Sequence, residues 1–305
     1  MNPFFIEYSE YLATIFGRRK VQKISVNTGR SCPNRTGERG LGGCIYCSNA
    51  SFTPAYCFDV KGVAEQVEAG KRFFARKYPQ MRYLAYFQSY TATYGTSIET
   101  LERNLREALA VEDVVGIVIG TRPDSLPDAT VQMLSALNKE VPVIVEIGVE
   151  TFCDDTLLAI HRGHTAEEAR TAIRRVADAG LHPGVHLIAG LPGEDENRVI
   201  ANVEELNALG VESLKMHQLQ VLKDTPLSHM LERGEIRVPS ISLDDYLRLC
   251  ARIVRTVGNR FAIDRFLASA PPQSVISPKW GLKNFEFTGR LLKYLKQSQS
   301  IDQIT

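Results

Sequence analysis

Three cysteines near the amino end have the spacing to hold a metal group: Cys32, Cys44 and Cys47, separated by eleven and two residues. The intervening loop carries Gly37, Gly40, Gly42 and Gly43, and glycine lets a backbone wrap closely around an inorganic core. Three thiolates are one short of the four that complete a structural zinc site or a fully ligated iron-sulfur cube. A [4Fe-4S] cube on three thiolates keeps one iron open to a chelating cofactor, whereas a zinc knuckle would need a His or Asp from elsewhere in the chain. Both chemistries stand at this point. Cys57, Cys153 and Cys250 are isolated and read as core packing.

A loop of this kind must be presented by regular elements, and the chain supplies an alternation of them. Runs rich in β-branched and aromatic residues recur at Val21–Asn27, Tyr83–Gln88, Val114–Ile119, Val143–Val149, His182–Ala189 and Ser213–Val221. Amphipathic segments lie between them, at Val63–Lys77, Ile98–Ala110, Ala129–Asn138, Ala166–Ala179 and Glu196–Ala208. Successive βαβ units of this kind build a parallel sheet. Curled, the sheet is a partial six-stranded TIM barrel of the α/β class; flat, it is a doubly wound sheet, and the pattern suits either. In both cases the chemistry belongs at the carboxyl ends of the strands.

The alternation stops after Val221. Ser242–Val257 predicts a helix, Phe261–Leu267 a strand, Pro271–Pro272 a turn and Phe285–Lys296 a last helix. The expected organisation is a core over 1–224 and a small α+β cap over 225–305.

Composition narrows the class of protein. Hydrophobic residues make up 44% and charged residues 23% of the 305, as in a globular domain, and no apolar run approaches the roughly 18 residues of a membrane span. Met1 to Arg19 lacks the apolar stretch and cleavage site of a signal peptide, so the expectation is cytoplasmic, with reduced thiols. The net charge of +1 hides an asymmetry: residues 1–50 carry seven Lys/Arg against three Asp/Glu, and 255–305 carry eight against three. Two basic ends suit an anionic substrate such as RNA, and equally a solvated surface.

Five motifs occur in order: Cys32-Pro-Asn-Arg through Gly-Gly-Cys44-Ile-Tyr-Cys47, Phe87-Gln-Ser-Tyr-Thr-Ala-Thr-Tyr94, Glu146-Ile-Gly-Val-Glu150-Thr, Arg162-Gly-His-Thr165 and Gly190-Leu-Pro-Gly-Glu194. Together they resemble the bacterial YhcC/YtqA-type radical S-adenosylmethionine (SAM) family, a smaller relative of the catalytic subunit of Elongator. The resemblance implies a [4Fe-4S] cluster on Cys32, Cys44 and Cys47, with SAM on the open iron. Reductive cleavage of SAM would then give a 5′-deoxyadenosyl radical. It further implies that Tyr46 lies beside the adenine and that Gln88 and Ser89 stand where many relatives carry a Gly-Gly-Glu segment receiving the SAM amino group. Glu150 and Arg162 would contact SAM, a guanidinium being the natural partner of its carboxylate. His186 and Gly190 would border the ribose and adenine.

Departures from the family pattern also carry expectations. The Gly-Gly-Glu segment is absent, Asp264 occupies a position where relatives carry histidine, and no acetyltransferase domain accompanies the core. Lys223 reads as solvated, and Glu150 and Arg162 could simply pair with each other. The implied substrate is tRNA at a modified wobble uridine, with an electron donor such as flavodoxin or ferredoxin. A small metabolite and a zinc-binding, non-enzymatic scaffold are the competing readings.

Overall fold

The computed structural model describes residues 2–17, 20–59, 62–75 and 80–302. Strands form at β1 Val21–Val26, β2 Arg82–Phe87, β3 Val114–Thr121, β4 Val143–Glu150, β5 His182–Ala189, β6 Ser213–Gln218, β7 Val221–Leu222, β8 Ala262–Arg265 and β9 Val275–Ser277. Among the described residues, seven of them make one parallel sheet in the order β1-β2-β3-β4-β5-β6-β8. Helices separate the strands at Val63–Ala75, Ile98–Leu109, Asp128–Asn138, Ala166–Asp178 and Glu196–Leu206. The expected end of the first of these, at Lys77, lies outside the described residues.

One contact decides between the flat and the curled sheet. In a flat sheet the outermost strands β1 and β8 would stand roughly 29 Å apart, six spacings of about 4.8 Å. Instead Lys23 of β1 donates to Asp264 of β8 at 2.9 Å. The sheet therefore curls into a half-barrel whose two edges nearly meet.

Side-chain alternation gives this curl an inside and an outside. Ile24, Tyr83, Ile117, Val145, Val185 and Leu214 face outward, where they pack with Val67, Leu105, Leu134, Ile173 and Val203 of the helices. The helix Val63–Ala75 sits close enough to β1 that a Cβ on Gly70 would stand 2.3 Å from the Ile24 methyl. Inside, Leu84, Tyr86, Val118 and Ile144 pack against Tyr8, Tyr11 and Leu12. These last residues belong to a helix, Tyr8–Phe16, absent from the sequence reading. It plugs the amino-terminal end of the half-barrel, and Gly116 makes the room: a Cβ there would lie 2.7 Å from the Phe16 ring.

The carboxyl-terminal segment is joined to this core. The sixth run of the sequence pattern breaks after Gln218, and its end becomes β7, which pairs antiparallel with β9. The helix Leu243–Val257 then leads into β8, the seventh strand of the main sheet. Thus 225–305, expected as a small cap, contributes a strand and a helix to the barrel wall. The last helix, Asn284–Asp302, buries Phe287, Leu291 and Leu295 in the main core. Among the described residues no helix is long and apolar enough to cross a membrane.

Candidate active site

Beyond β1 the chain enters the cysteine loop, which is tied down at several points. Cys32 precedes a single helical turn, Pro33–Thr36, with Pro at its first position and Gly37 in the left-handed conformation at its end. Gly43 N–H donates to the Asn34 carbonyl at 2.8 Å, and Cys47 N–H to the Cys44 carbonyl at 3.0 Å. Ile45 anchors the pair of cysteines: it is buried among Ile160, Ile188, Leu191, Leu219 and Leu227. Its N–H donates to Ile160 and its carbonyl accepts from Leu227.

Cys32, Cys44 and Cys47 line one cavity of about 260 Å³ at the carboxyl ends of the strands, and Tyr46, Gln88, Glu150, Arg162 and His186 share its wall. Burial, then the neighbouring Cys44 and Cys32, push the Cys47 thiol up to about 12. Three crowded thiols on one void are a donor set that calls for positive charge. Among the described residues no group of three His, Cys, Asp or Glu could hold a single metal ion. Three thiols on one cavity, one short of a closed four-ligand site, are a donor set that fits a cube with one iron left open.

Arg162 is the hub beside the cysteines. It is buried, with Nη1 donating to Cys44 Sγ at 3.4 Å, Nε to His164 Nε2 at 3.2 Å and Nη2 to the Gly148 carbonyl at 2.5 Å. Its Nη2 lies 3.3 Å from Glu150 Oε1, the rim pair anticipated from sequence. Glu150 takes φ +71, an uncommon conformation for a side-chain-bearing residue, where the β4–β5 register shifts. Gly148 leaves room for this pair, since a Cβ there would stand 2.7 Å from Arg162 Nη2 and 3.0 Å from Glu150 Oε1 and would push the two side chains aside. Thr165 and Glu168 form a capping box on the helix Ala166–Asp178, which fixes the Arg162-to-Thr165 segment from the other side.

The remaining expected site residues divide. Tyr46 brings a buried hydroxyl without a partner to the wall. Gln88 donates to Ser25 Oγ at 2.6 Å and stays on the wall. Ser89 lies behind it, accepting from Asn49 at 3.2 Å. Gly190, at φ +87, borders a separate cavity of about 200 Å³ with Ile241 and Trp280. Lys223 is exposed, and its N–H donates to the Ser274 carbonyl across the β7–β9 pair.

Sequence reasoning missed two features. Arg122, only 2% exposed, grips Asp124 with two bonds of 2.8 Å and donates to the Arg162 carbonyl at 2.7 Å. Its Nη1 is buried without a partner on the cavity wall. The signal was available: Arg122 directly follows the third strand.

The second is a buried charged layer beneath the cavity. Glu146 accepts from Lys23 Nζ at 2.5 Å, Lys215 Nζ at 2.5 Å, Tyr86 Oη at 2.6 Å and His186 Nε2 at 2.8 Å. Burial pushes the Glu146 carboxyl up, but Lys215 and Lys23 outweigh it and hold it well below the usual range. Asp264 completes the layer through Lys23, and lies 3.8 Å from Lys215. The signal here was a carboxylate inside an apolar strand run, Glu146 within Val143–Val149.

Three buried imidazoles make stability depend on pH. Burial, then the Arg162 charge, lowers His164 from 6.5 to about 3. Burial also lowers His186 and His217, aided chiefly by Lys215 and by Arg265 respectively. His164 stays neutral in the fold and protonates below about 6.5 once unfolded, so its contribution is complete above that pH and is lost as pH falls, and the lowered His186 and His217 act in the same sense. For His164 alone the loss is about 2 kcal/mol on going to pH 5. Urea unfolding at pH 7 and pH 5 should show at least this fall, and His164→Gln should flatten it. An equal fall in wild type and variant contradicts the assignment.

Comparison with known proteins now defines the class. The model described as the Radical SAM superfamily matches residues 26–206, and that of the Radical_SAM C-terminal domain matches 211–297. The chain belongs to the radical SAM superfamily, and its cofactors are a [4Fe-4S] cluster and SAM. Within the superfamily it is of the YhcC/YtqA type. It is 32% identical to the uncharacterized protein YtqA of Bacillus subtilis, over 95% of this chain and 89% of that one. It is 29% identical over 126 residues to the tRNA uridine(34) acetyltransferase of Methanocaldococcus jannaschii, covering 40% of this chain and 23% of that one. The fold is shared with the archaeal Elp3 of Methanocaldococcus infernus, with a TM-score of 0.70, 17% identity, and coverage of 92% and 64%.

Proposed function

We propose that this radical SAM enzyme binds its cluster through Cys32, Cys44 and Cys47 and acts on tRNA, at a modified wobble uridine. The observation that carries the first part is the convergence of those three thiols on one cavity with a buried cation and carboxylate, Arg162 and Glu150. When bound, cluster and SAM together supply a 5′-deoxyadenosyl radical for hydrogen abstraction.

The chain's own groups suit the rest of the cofactor. Arg162 and Glu150 offer charges of both signs to the zwitterionic amino-acid end of SAM. The unpartnered Tyr46 hydroxyl offers a bond to the adenine, and Gln88 and His186 border the same space. In this reading Ser89 and Gly190, off the cavity wall, support neighbouring segments instead of touching SAM. The cavity mouth needs an electron from outside, for which a flavodoxin or ferredoxin is the proposed donor.

The tRNA assignment draws on the stretch shared with the tRNA uridine(34) acetyltransferase and on the two basic ends of the chain. Arg290 and Lys293 stand exposed on the last helix, and Lys279 and Lys283 just before it. Mass analysis of tRNA nucleosides from a deletion strain tests it. A changed level of one wobble-uridine derivative, restored by wild type and not by Cys44→Ala, is expected. Unchanged wobble uridines contradict the RNA part and leave a small metabolite as substrate.

A further inference from the structure

Asn34 lies between the two halves of the site, and no motif role accounts for it. It is 2% exposed. Its Nδ2 donates to Cys44 Sγ at 3.4 Å and also to the His161 carbonyl. Because both neighbours accept, this edge of the amide must be the NH2 and not the oxygen. The Oδ1 edge is clamped by two glycines: a Cβ on Gly40 would stand 2.4 Å from it, and one on Gly163 2.8 Å. The Asn34 carbonyl accepts from Gly43 N–H, next to Cys44. One side chain thus joins the cysteine loop to the segment bearing Arg162.

The three cysteine sulfurs are not equivalent. Cys44 Sγ accepts from both Asn34 and Arg162, each at 3.4 Å, and among the described residues the sulfurs of Cys32 and Cys47 accept from none. We propose that Asn34 is a positioning residue that raises the reduction potential of the cluster through its N–H···S bond to Cys44. The inference rests on the reading that Cys44 ligates the cluster. Reduction by one electron places more negative charge on the irons and their sulfur ligands, and an N–H donor stabilises that reduced state more than the oxidised one. Arg162 acts in the same sense with a full charge, but it also faces the proposed SAM space, so Asn34 is the cleaner handle.

The test is a potentiometric titration of the reconstituted protein, followed by the electron paramagnetic resonance of the reduced cluster. Asn34→Ala, with iron and sulfide content matched to wild type, should lower the reduced-to-oxidised ratio at a fixed potential by about fivefold to tenfold, or about 40–60 mV for one electron. An unmoved potential at matched cluster content overturns the proposal. If Asn34→Ala cannot retain a cluster, wild-type protein labelled with 15N at the asparagine side chains decides it. Pulsed resonance of the reduced cluster should then show a 15N coupling transmitted through the Cys44 sulfur, and its absence overturns the proposal. Should Cys44→Ala keep a full cluster, the ligand reading fails instead, which separates the two failures.

Discussion

Cys44→Ala is expected to reduce iron and acid-labile sulfide in the reconstituted protein to less than about a tenth of wild type, because two thiolates do not retain a cube that three hold with one iron open. The metal-free fold should survive. Cys44 sits in a loop outside the sheet, and the anchoring of that loop falls to Ile45, whose apolar pocket and two backbone bonds are untouched. The loss is then confined to the sulfur that Arg162 and Asn34 donate to, a cost in apo stability of about 1–3 kcal/mol, so circular dichroism without metal should match wild type while thermal unfolding shifts modestly downward. Iron and sulfide analysis on matched samples reads the result, and undiminished cluster content removes Cys44 from the ligand set.

Glu146→Ala should have the largest effect on stability. The carboxylate is shared by Lys23 and Lys215, both ammonium groups lying within 2.5 Å of it, and removing it leaves two buried cations facing each other with Asp264 as their remaining counter-charge. Breaking a buried ion pair from one side costs about 3–5 kcal/mol, a large share of the roughly 5–15 kcal/mol that holds a domain folded. Urea titration should show the midpoint falling accordingly. The companion Glu146→Leu with Lys215→Met, which removes charge from both sides, should recover much of the loss. A fall below about 1 kcal/mol in Glu146→Ala would mean that the layer is open to water and not a desolvated network.

The legibility of this molecule in its sequence differed from part to part for physical reasons. The six strand runs were readable because parallel strands covered by helices are apolar on at least one face, and Val143–Glu150 is buried along its whole length. Curvature was not readable. The same βαβ string builds flat and curled sheets, and the difference appears only where Lys23 meets Asp264 across the open edge. The strand at Ala262–Arg265 was anticipated, but its membership of the main sheet depends on a long connection that sequence periodicity does not encode. The helix Tyr8–Phe16 went unseen because its buried Tyr8, Tyr11 and Leu12 find their partners only inside the curled sheet.

The site followed the same logic. The cysteines, Tyr46, Gln88 and Glu150 end or follow strands, Arg162 lies on the longer β4-to-helix connection and His186 points inward from within β5; they meet because all strands of a parallel sheet end on one side. Gly190 and Ser89 share that address in sequence, yet the local path of the backbone turns them away from the cavity. Arg122 holds the Arg162 backbone carbonyl while itself reaching the cavity wall, and Asn34 acts through the Cys44 sulfur. Spacing alone does not reveal such second-layer contacts.

An iron-sulfur cluster with an iron open to SAM is read in the electron paramagnetic resonance spectrum of the anaerobically reconstituted, reduced protein with and without SAM. A reduced-cubane signal that changes when SAM is added is expected; a reconstituted protein that yields zinc and no iron-sulfur signal, or a cubane signal indifferent to SAM, would rule out an open-iron cluster.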